Sequence, residues 1–502
     1  MDGVIQVKNY GYNGNLVGNL GSMKPFPQLS SQKEQELVDS LLQWSLGNGL
    51  VMYPPNFETY QANTAPITLF PTPIPRSGFE NAIKVQQVFQ SLYCNIVSLN
   101  KSWLNQVLKE LSLHDQDFTG KLYQIYLEAK PDIIQPLSLG LFRSDYFINQ
   151  KTQEIKQIEF NTISVSFGGL STKIGQLHSY LNKSGFYDEK YSNEYYKSEE
   201  IPISNSINEL AQGLANADSA YSDTETIVLF IVQPGERNCF DQRHIEYALL
   251  EKYNIKSIRL TLEEIELKTT INDKKLYIKS TMDEVSVVYY RSGYAPTDYY
   301  SPVCWNARLI IEKSLAIKCP SLLTQLSGAK KIQQLLTDEE IIKKVLPSIT
   351  SSDLSLLTST FVDIYPLDDS EQGKKAQKLA FDQPEKYVLK PQREGGGNNI
   401  YKQDIPKFLN NISKEDWQGY ILMEIIEPPK FKNKIIRNYE VFNEEIISEL
   451  GIFGSVLFNE ETGKILSNEN SGWLLRSKFS TSDEGGVAAG FGCVDNIYLY
   501  DD

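Results

Sequence analysis

Lys390-Pro391-Gln392-Arg393-Glu394-Gly395-Gly396-Gly397-Asn398-Asn399 is the stretch on which the reading of this chain turns. It leaves the end of a strand-like run, Tyr387-Val388-Leu389. Three successive glycines remove every Cβ and permit positive φ, so backbone N–H groups can converge on an anion. Lys390 and Arg393 add positive charge, and Glu394 adds a hard oxygen suited to Mg2+. Cations, donors and one carboxylate crowded beside glycines point to a nucleoside triphosphate with its metal. Taken alone, the triple glycine reads equally well as a surface turn.

The rest of the chain narrows the choice. At 502 residues it is too long for one ordinary core and predicts about two to four domains. A net charge of −14 and a pI near 5.0 argue against a nucleic-acid groove or an anionic membrane surface. An anionic ligand must therefore meet a local cluster of Lys and Arg. Cys94, Cys239, Cys304, Cys319 and Cys493 are scattered and never form Cys-x-x-Cys, which suits free thiols in a reducing compartment. Met1 to Leu20 lacks the apolar core of a signal peptide and the arginines of a transit peptide. No apolar run reaches membrane-spanning length, so a cytoplasmic protein is expected. Only His114, His178 and His244 occur, leaving little for imidazole chemistry.

Along the chain, residues 1–27 read as a flexible extension. Order is expected from Ser31-Gln32-Lys33-Glu34, a capping-box pattern opening a helix with Leu37, Leu41 and Trp44 on one face. Helical patterns fill 80–130, and a strand covers Glu154 to Phe160. Tyr187 to Glu200 reads as a solvated loop or helix start and not as a binding site. From the apolar run Ile227 to Val232 to about 328, strand–helix–strand succession predicts a compact α/β unit with a parallel sheet. The remainder alternates strands (Lys386 to Lys390, Tyr420 to Ile426, Ile446 to Phe453) with helices and glycine-rich loops.

Several residues can carry chemistry. Glu159 and Asn161 stand two apart at a strand end, so both leave one face and fit either a Mg2+ site or an exposed edge pair. Glu424 and Glu449 sit within apolar strands, where a charged carboxylate costs several kcal/mol unless partnered. A structural arginine and a ribose hydroxyl both answer. Arg476 and Lys478 place two cations on one strand face, and the small-residue loop from Asp483 to Gly490 follows. There is no Walker A sequence, dinucleotide fingerprint, serine-hydrolase elbow or kinase motif set.

Together, IEFNTISVSFGGL, ERNCFDQR, RSGY, TQLSGAKK, KPQREGGGNN, ILMEIIE, SELGIFG, LLRSK and GGVAAG resemble the eukaryotic glutathione synthetases, which are ATP-grasp ligases. The resemblance runs from about residue 30 to 497, with the segments in the family's order. It implies a mixed α/β fold of ATP-grasp architecture: 1–27 as extension, 28–225 as the N-terminal part of the body, 226–328 as an inserted parallel-sheet substrate domain, and 329–502 as the C-terminal part with lid loops.

The family joins γ-glutamylcysteine to glycine while converting ATP to ADP and phosphate. A carboxylate is a poor electrophile, so it is first phosphorylated, and the acyl phosphate is then attacked by the glycine amine. Positioning and charge neutralisation dominate such chemistry, which suits a chain poor in histidine. The resemblance assigns two Mg2+ ions per site to Glu159, Asn161 and Glu394. It assigns ATP to Glu159, Lys330, Lys390, Pro391, Gln392, Arg393, Glu394, Gly395, Gly396, Gly397, Asn398, Asn399, Tyr401, Met423, Glu424, Ile425, Ile426, Glu449, Lys478 and Glu484. Peptide and glycine fall to Arg143, Ile163, Ser164, Val165, Ser166, Glu236, Arg237, Asn238, Gln242, Arg291, Ser292, Gly293, Tyr294, Arg476, Val487 and Ala488. Arg476, Gly395 and Gly396 are the expected catalytic residues, the arginine stabilising charge at the reacting carboxyl.

Glu484 stands where the family often has Asp, and residues 1–27 receive no role. A homodimer is implied. Ala488-Ala489 resembles the glycine-using form more than one that takes β-alanine. A catalytically silent ATP-binding protein of the same fold is the alternative outside enzymes.

Overall fold

The computed structural model describes residues 23–221, 224–394, 397–483, 487 and 492–502. Its centre is a sheet that, among these residues, has eleven strands. Leu137–Ile148 lies in the middle and pairs antiparallel with Ile155–Asn161 and with the long strand Glu440–Asn459, which continues into Ile465–Phe479. On its other flank Leu137–Ile148 meets Ile317–Cys319, followed by Val285–Tyr290, Ile227–Ile231 and Lys256–Leu260, all running parallel. Ile227–Ile231 and Val285–Tyr290 are buried at every position, as expected of parallel strands covered by helices on both faces. The parallel strands expected at 226–328 therefore extend the large sheet instead of forming one of their own.

At the opposite end the sheet closes on itself. Phe431–Arg437 pairs with Ile67–Thr68 and also with Glu440–Asn459, completing a ring with Gly492–Asp495 and Ile465–Phe479. Closure leaves no open edge there, and Phe431, Ile435, Ile446 and Cys493 cluster in its core.

A second sheet of four antiparallel strands takes the order Ile364–Pro366, Tyr420–Glu424, Tyr387–Pro391, Ile400–Tyr401. Alternation splits its side chains between two faces. Leu389, Leu422, Tyr365 and Tyr387 pack under the helices Glu371–Asp382 and Asp404–Asn410. Val388, Ile421, Met423 and Ile364 face the other way, against Phe147 and Ile158 of the large sheet. The two sheets thus meet across an apolar wall.

Three expectations need correction. The first helix, Ser31–Asn48, is capped by Ser30, one residue before the expected position, because the Ser30 hydroxyl accepts the Lys33 amide. Of the proposed extension, 1–22 lie outside the described residues, but 23–27 are fastened down. Met23 and Phe26 pack on the core, and the Lys24 amide donates to the Tyr498 hydroxyl at 2.9 Å. Tyr187 to Glu200 is not simply solvated. Tyr187 and Tyr196 are buried, and Asn182 Oδ1 accepts the backbone amides of Tyr195 and Tyr196 at 3.0 and 2.9 Å. His178, under Tyr187, is pushed down to about 3 by burial and stays neutral. No helix among the described residues is long and apolar enough to cross a membrane.

The strand Ile155–Asn161 is anchored by Phe160, fully buried, which stacks on Tyr93 at 4.0 Å and tilts against Phe142 at 5.3 Å. Its neighbours Glu159 and Asn161 are thereby held to the opposite face. Phe160→Ala is expected to destabilise the fold by about 3–5 kcal/mol, read from urea unfolding.

Candidate functional site

Period-two alternation on four neighbouring strands builds the site. Arg143 and Asp145 leave one face of Leu137–Ile148, and Glu159 and Asn161 leave the same face of Ile155–Asn161. Register pairs Arg143 with Asn161 and Asp145 with Glu159. On the other side Gly451 lies opposite Asp145, and Glu449 lies opposite Arg476.

Contacts follow from that register. Arg143 donates to both oxygens of Asp145, at 2.5 and 2.7 Å. Arg476 donates to Asp145 at 3.2 Å and to Glu449. Asn161 Nδ2 donates to Asp145 Oδ2 at 3.0 Å and to the Arg143 carbonyl at 3.3 Å, which turns its Oδ1 the other way. Burial lowers the Arg476 pKa, and the adjacent Arg143 lowers it further.

Lys330, Lys390 and Glu394 close over this face. Lys330 pairs with Glu159 at 2.8 Å, and Lys390 donates to the Ile158 carbonyl at 2.8 Å. Burial opposes the charge on Glu159, yet Lys330, Lys390 and Arg143 outweigh it and hold the carboxyl well below its ordinary range. Burial also works against Lys330, but Glu159 and Glu394 keep its pKa raised. For Lys390 the compensation falls short: burial brings it down to about 8 although Glu159 and Asp145 oppose the shift, and Lys330 pushes the same way as burial. Glu394 is the mirror case, lifted to about 7 by burial with Glu159 adding repulsion. Its Oε2 is buried without a hydrogen-bond partner among the described residues. Gly328 gives Glu394 room, since a Cβ there would lie 2.4 Å from Thr162 Oγ1 and 3.0 Å from Glu394 Oε1.

A second group adjoins Arg143. Ser164 and Phe167 take positive φ, so the chain after Asn161 turns sharply. Asp241 fixes the turn by accepting the amides of Phe167, Gly169 and Leu170 at 2.9, 2.7 and 3.2 Å. It also accepts from Arg291 at 3.2 Å, and Arg291 reaches Ser166 Oγ at 2.8 Å. Among the described residues, Arg291 Nε and Nη1 and Asn238 Oδ1 remain buried without hydrogen-bond partners. Glu236 takes the Asn238 amide and Gln242 Nε2 at 2.8 and 3.0 Å, while Asp298 gathers the amides of Gly293, Tyr294 and Ala295. Orphaned donors beside an orphaned acceptor suit a zwitterionic ligand.

These two groups gather a part of the expected residues, while others lie elsewhere. Arg393 turns to Asp115 at 2.5 Å and lies over the Phe118 ring. Gln392 links the Lys331 amide to the Gly419 carbonyl, so both serve the scaffold. Arg237 donates to the Tyr53 carbonyl. Glu424 is exposed and points away from Met423, next to Tyr365 and Asp363; it bears no burial cost and needs no partner. Glu449 has the arginine partner foreseen as one alternative. Lys478 donates to the Asp483 carbonyl at 2.6 Å, Asn399 donates to the Tyr401 hydroxyl, and Val487 is buried. Gly395, Gly396, Glu484 and Ala488 lie outside the described residues. Asp145 and Asp241, each the hub of one group, are absent from the set expected from sequence. Arg143-x-Asp145 on one strand face was the available signal for the first.

A family model described as eukaryotic glutathione synthase, ATP binding domain, matches residues 31–499. The chain is 41% identical over 467 residues to the glutathione synthetase large chain of Schizosaccharomyces pombe, covering 87% of this chain and 91% of that one. It is 38% identical over 480 residues to glutathione synthetase of Homo sapiens, covering 93% and 97%. The chloroplastic glutathione synthetase of Arabidopsis thaliana is 39% identical over 492 residues, covering 95% and 88%. Among solved structures, a glutathione synthetase-like effector of Globodera pallida superposes with a TM-score of 0.74 at 23% identity, over 95% of this chain and all of that one, a likeness of fold.

Lys390 gives a test independent of any ligand. A lysine pKa lowered from 10.5 to about 8 means that the charged form is disfavoured in the fold by about 3 kcal/mol. The sign follows: stability rises as pH climbs from about 8 towards the unfolded value, and the penalty is fully present at pH 7. Lys390→Met is accordingly expected to unfold at the same or a higher urea concentration than the parent at pH 7, with the gap closing at alkaline pH.

Proposed function

The chain belongs to the eukaryotic glutathione synthase family, and from this premise we propose that the cluster around Asp145 and Glu394 is its reaction centre. The protein is an ATP-dependent ligase that makes glutathione. The observation that carries the site assignment is the unpartnered, buried Glu394 oxygen beside Glu159, Lys330 and Lys390, on the face where Arg143 and Arg476 meet.

Charge explains what the site can bind. Arg143, Lys330, Lys390 and Arg476 stand against Asp145, Glu159, Glu394 and Glu449, so the cluster cancels by itself. A triphosphate brought here adds negative charge next to Glu159 and Glu394 and calls for divalent cations. The donors fit Mg2+: Glu159 is held ionised, Glu394 has a free oxygen, and Asn161 turns its Oδ1 away from Asp145. When bound through Glu159, Asn161 and Glu394, Mg2+ would supply the neutralising charge on the phosphates.

The protein's own groups do the remaining work. The adenine base is placed against the wall of Met423, Val388 and Ile364 facing Phe147 and Ile158, with the backbone of Glu424, Ile425 and Ile426 along its edge. Lys330 and Lys390 face the phosphates, and Glu449 offers its carboxylate to a ribose hydroxyl while steadying Arg476. Arg291, Asn238 and Gln242 take the charged γ-glutamyl end, and Ser164 and Ser166 line the peptide. A carboxylate oxygen of γ-glutamylcysteine attacks the γ-phosphorus, forming an acyl phosphate and releasing ADP. The glycine amine then attacks the acyl carbon, and inorganic phosphate departs with the bonding pair and takes up the proton that the amine nitrogen sheds. Arg476 and Arg143 stabilise the oxygen charge that develops in both steps. We place the enzyme in the cytoplasm as a homodimer, a reading that rests on the resemblance and on its unpaired cysteines.

A coupled assay of ADP formation tests this. Turnover is expected only when γ-glutamylcysteine, glycine and ATP are all present, with glycine preferred to β-alanine and serine. Substantial ADP formation without either co-substrate would sink the ligase assignment of the site. Arg476→Ala is expected to lower kcat by about 10²- to 10³-fold.

The Glu394 carboxyl sets a pH dependence. Raised to about 7, it loses metal-binding character as pH falls through that value. The Mg2+ concentration giving half-maximal rate is expected to climb between pH 8 and pH 6, by up to about tenfold per unit on the acid side. A constant requirement across that range would remove Glu394 from the metal site.

A further inference from the structure

The fully buried Asp145 has no ligand-binding assignment, yet it touches two arginines and an asparagine that do. We propose that Asp145 is a positioning residue of the ligase site: one carboxylate that holds Arg143 and Arg476 side by side and, through Nδ2, sets the amide of Asn161 with its oxygen outward. The inference rests on the ligase reading above and deepens it.

Three observations carry it. First, Arg143 and Arg476 converge on one acid although each disfavours the charge of the other. Two guanidiniums brought together out of water need a shared counter-ion, and Asp145 Oδ2 accepts from both. Second, an asparagine amide can present nitrogen or oxygen to a neighbour, and an ionised carboxylate accepts only from nitrogen. Asp145 therefore selects the orientation that leaves Asn161 Oδ1 for a cation. Third, the opposite strand is hollowed to admit the pair. At Gly451 a Cβ would sit 2.8 Å from Arg143 Cδ and 2.9 Å from Asp145 Oδ1. Any other residue there would press on the ion pair, which gives the glycine of the SELGIFG segment a physical reason.

Asp145→Asn keeps the volume and removes the charge, and it offers Asn161 and the arginines an amide that is itself half donor. Relative to the parent, it is expected to lose about 10- to 100-fold in kcat, with a raised KM for γ-glutamylcysteine. Calorimetric affinity for a non-hydrolysable ATP analogue with Mg2+ should weaken by about tenfold, while the same analogue without metal binds as before. Asp145→Glu, which retains the charge, should recover most of the metal-dependent affinity, a recovery that a purely structural role does not produce. The proposal is overturned if Asp145→Asn keeps kcat, KM and metal-dependent affinity within about threefold of the parent. It is equally overturned if the losses in both variants merely follow a fall in melting temperature. Failure of the ligase reading would show separately, as no ADP formation by the parent chain; the calorimetric comparison would then still decide the role of Asp145.

Discussion

A carboxylate held between two guanidiniums inside a protein is costly unless every partner arrives in place, because each ion gives up its hydration. Here the compensation is built from strand register. Asp145 meets Arg143 on its own strand and Arg476 from two strands away, while Glu449, opposite Arg476, shares the same guanidinium. Slipping any of these strands by one residue would turn its charges to the far face and strand the others without partners. The aromatic packing of Phe160 beneath and the extensive pairing of Glu440–Asn459 keep that from happening. What looks like a binding surface is thus also a constraint on the fold.

The second sheet contributes the rest by facing the first across apolar side chains. Its strand Tyr387–Pro391 brings Lys390 to the carbonyl of Ile158 and delivers Glu394 beside Glu159. Charges contributed by one sheet are read by the other, so the pKa of Lys390 and that of Glu394 are shifted in opposite directions by the same burial. The cleft is primed with one cation that resists its proton and one acid that retains it.

Much of this was visible in the chain. Glu159 and Asn161 were legible because a period of two fixes their common face, and Lys390 and Glu394 because glycines follow them. The apolar runs at Ile227 and Val285 announced parallel strands. Other features depended on distance in sequence. One partner of Asp145, Arg476, lies 331 positions on, and no local pattern gives that register. Asp241 is likewise defined by amides some 70 positions earlier. Glu424 was misjudged because an apolar strand was assumed buried to its end, whereas the strand stops at that residue and exposes it. Tyr187 to Glu200 looked solvated because its charges were counted, while two of its tyrosines fill a cavity that distant segments line. Arg393 carries the charge of a phosphate ligand, but Asp115, 278 positions earlier in the chain, takes it up.

The closed ring and its neighbour tie early and late parts of the chain into one weave. Gly492–Asp495 lies beside Ile67–Thr68, and Ile497–Tyr500 lies beside Thr72–Pro75. The Asp495 carboxylate bridges the hydroxyls of Thr68 and Thr72 to that of Ser477. During synthesis, the segment around residue 70 must therefore wait for more than three hundred and sixty further residues before any of these lateral partners leaves the ribosome. Until then those short strands have open sides that other nascent chains can occupy. A translation product cut short before its last strands therefore leaves Ile67–Thr68 and Thr72–Pro75 without the neighbours that cover them in the finished fold.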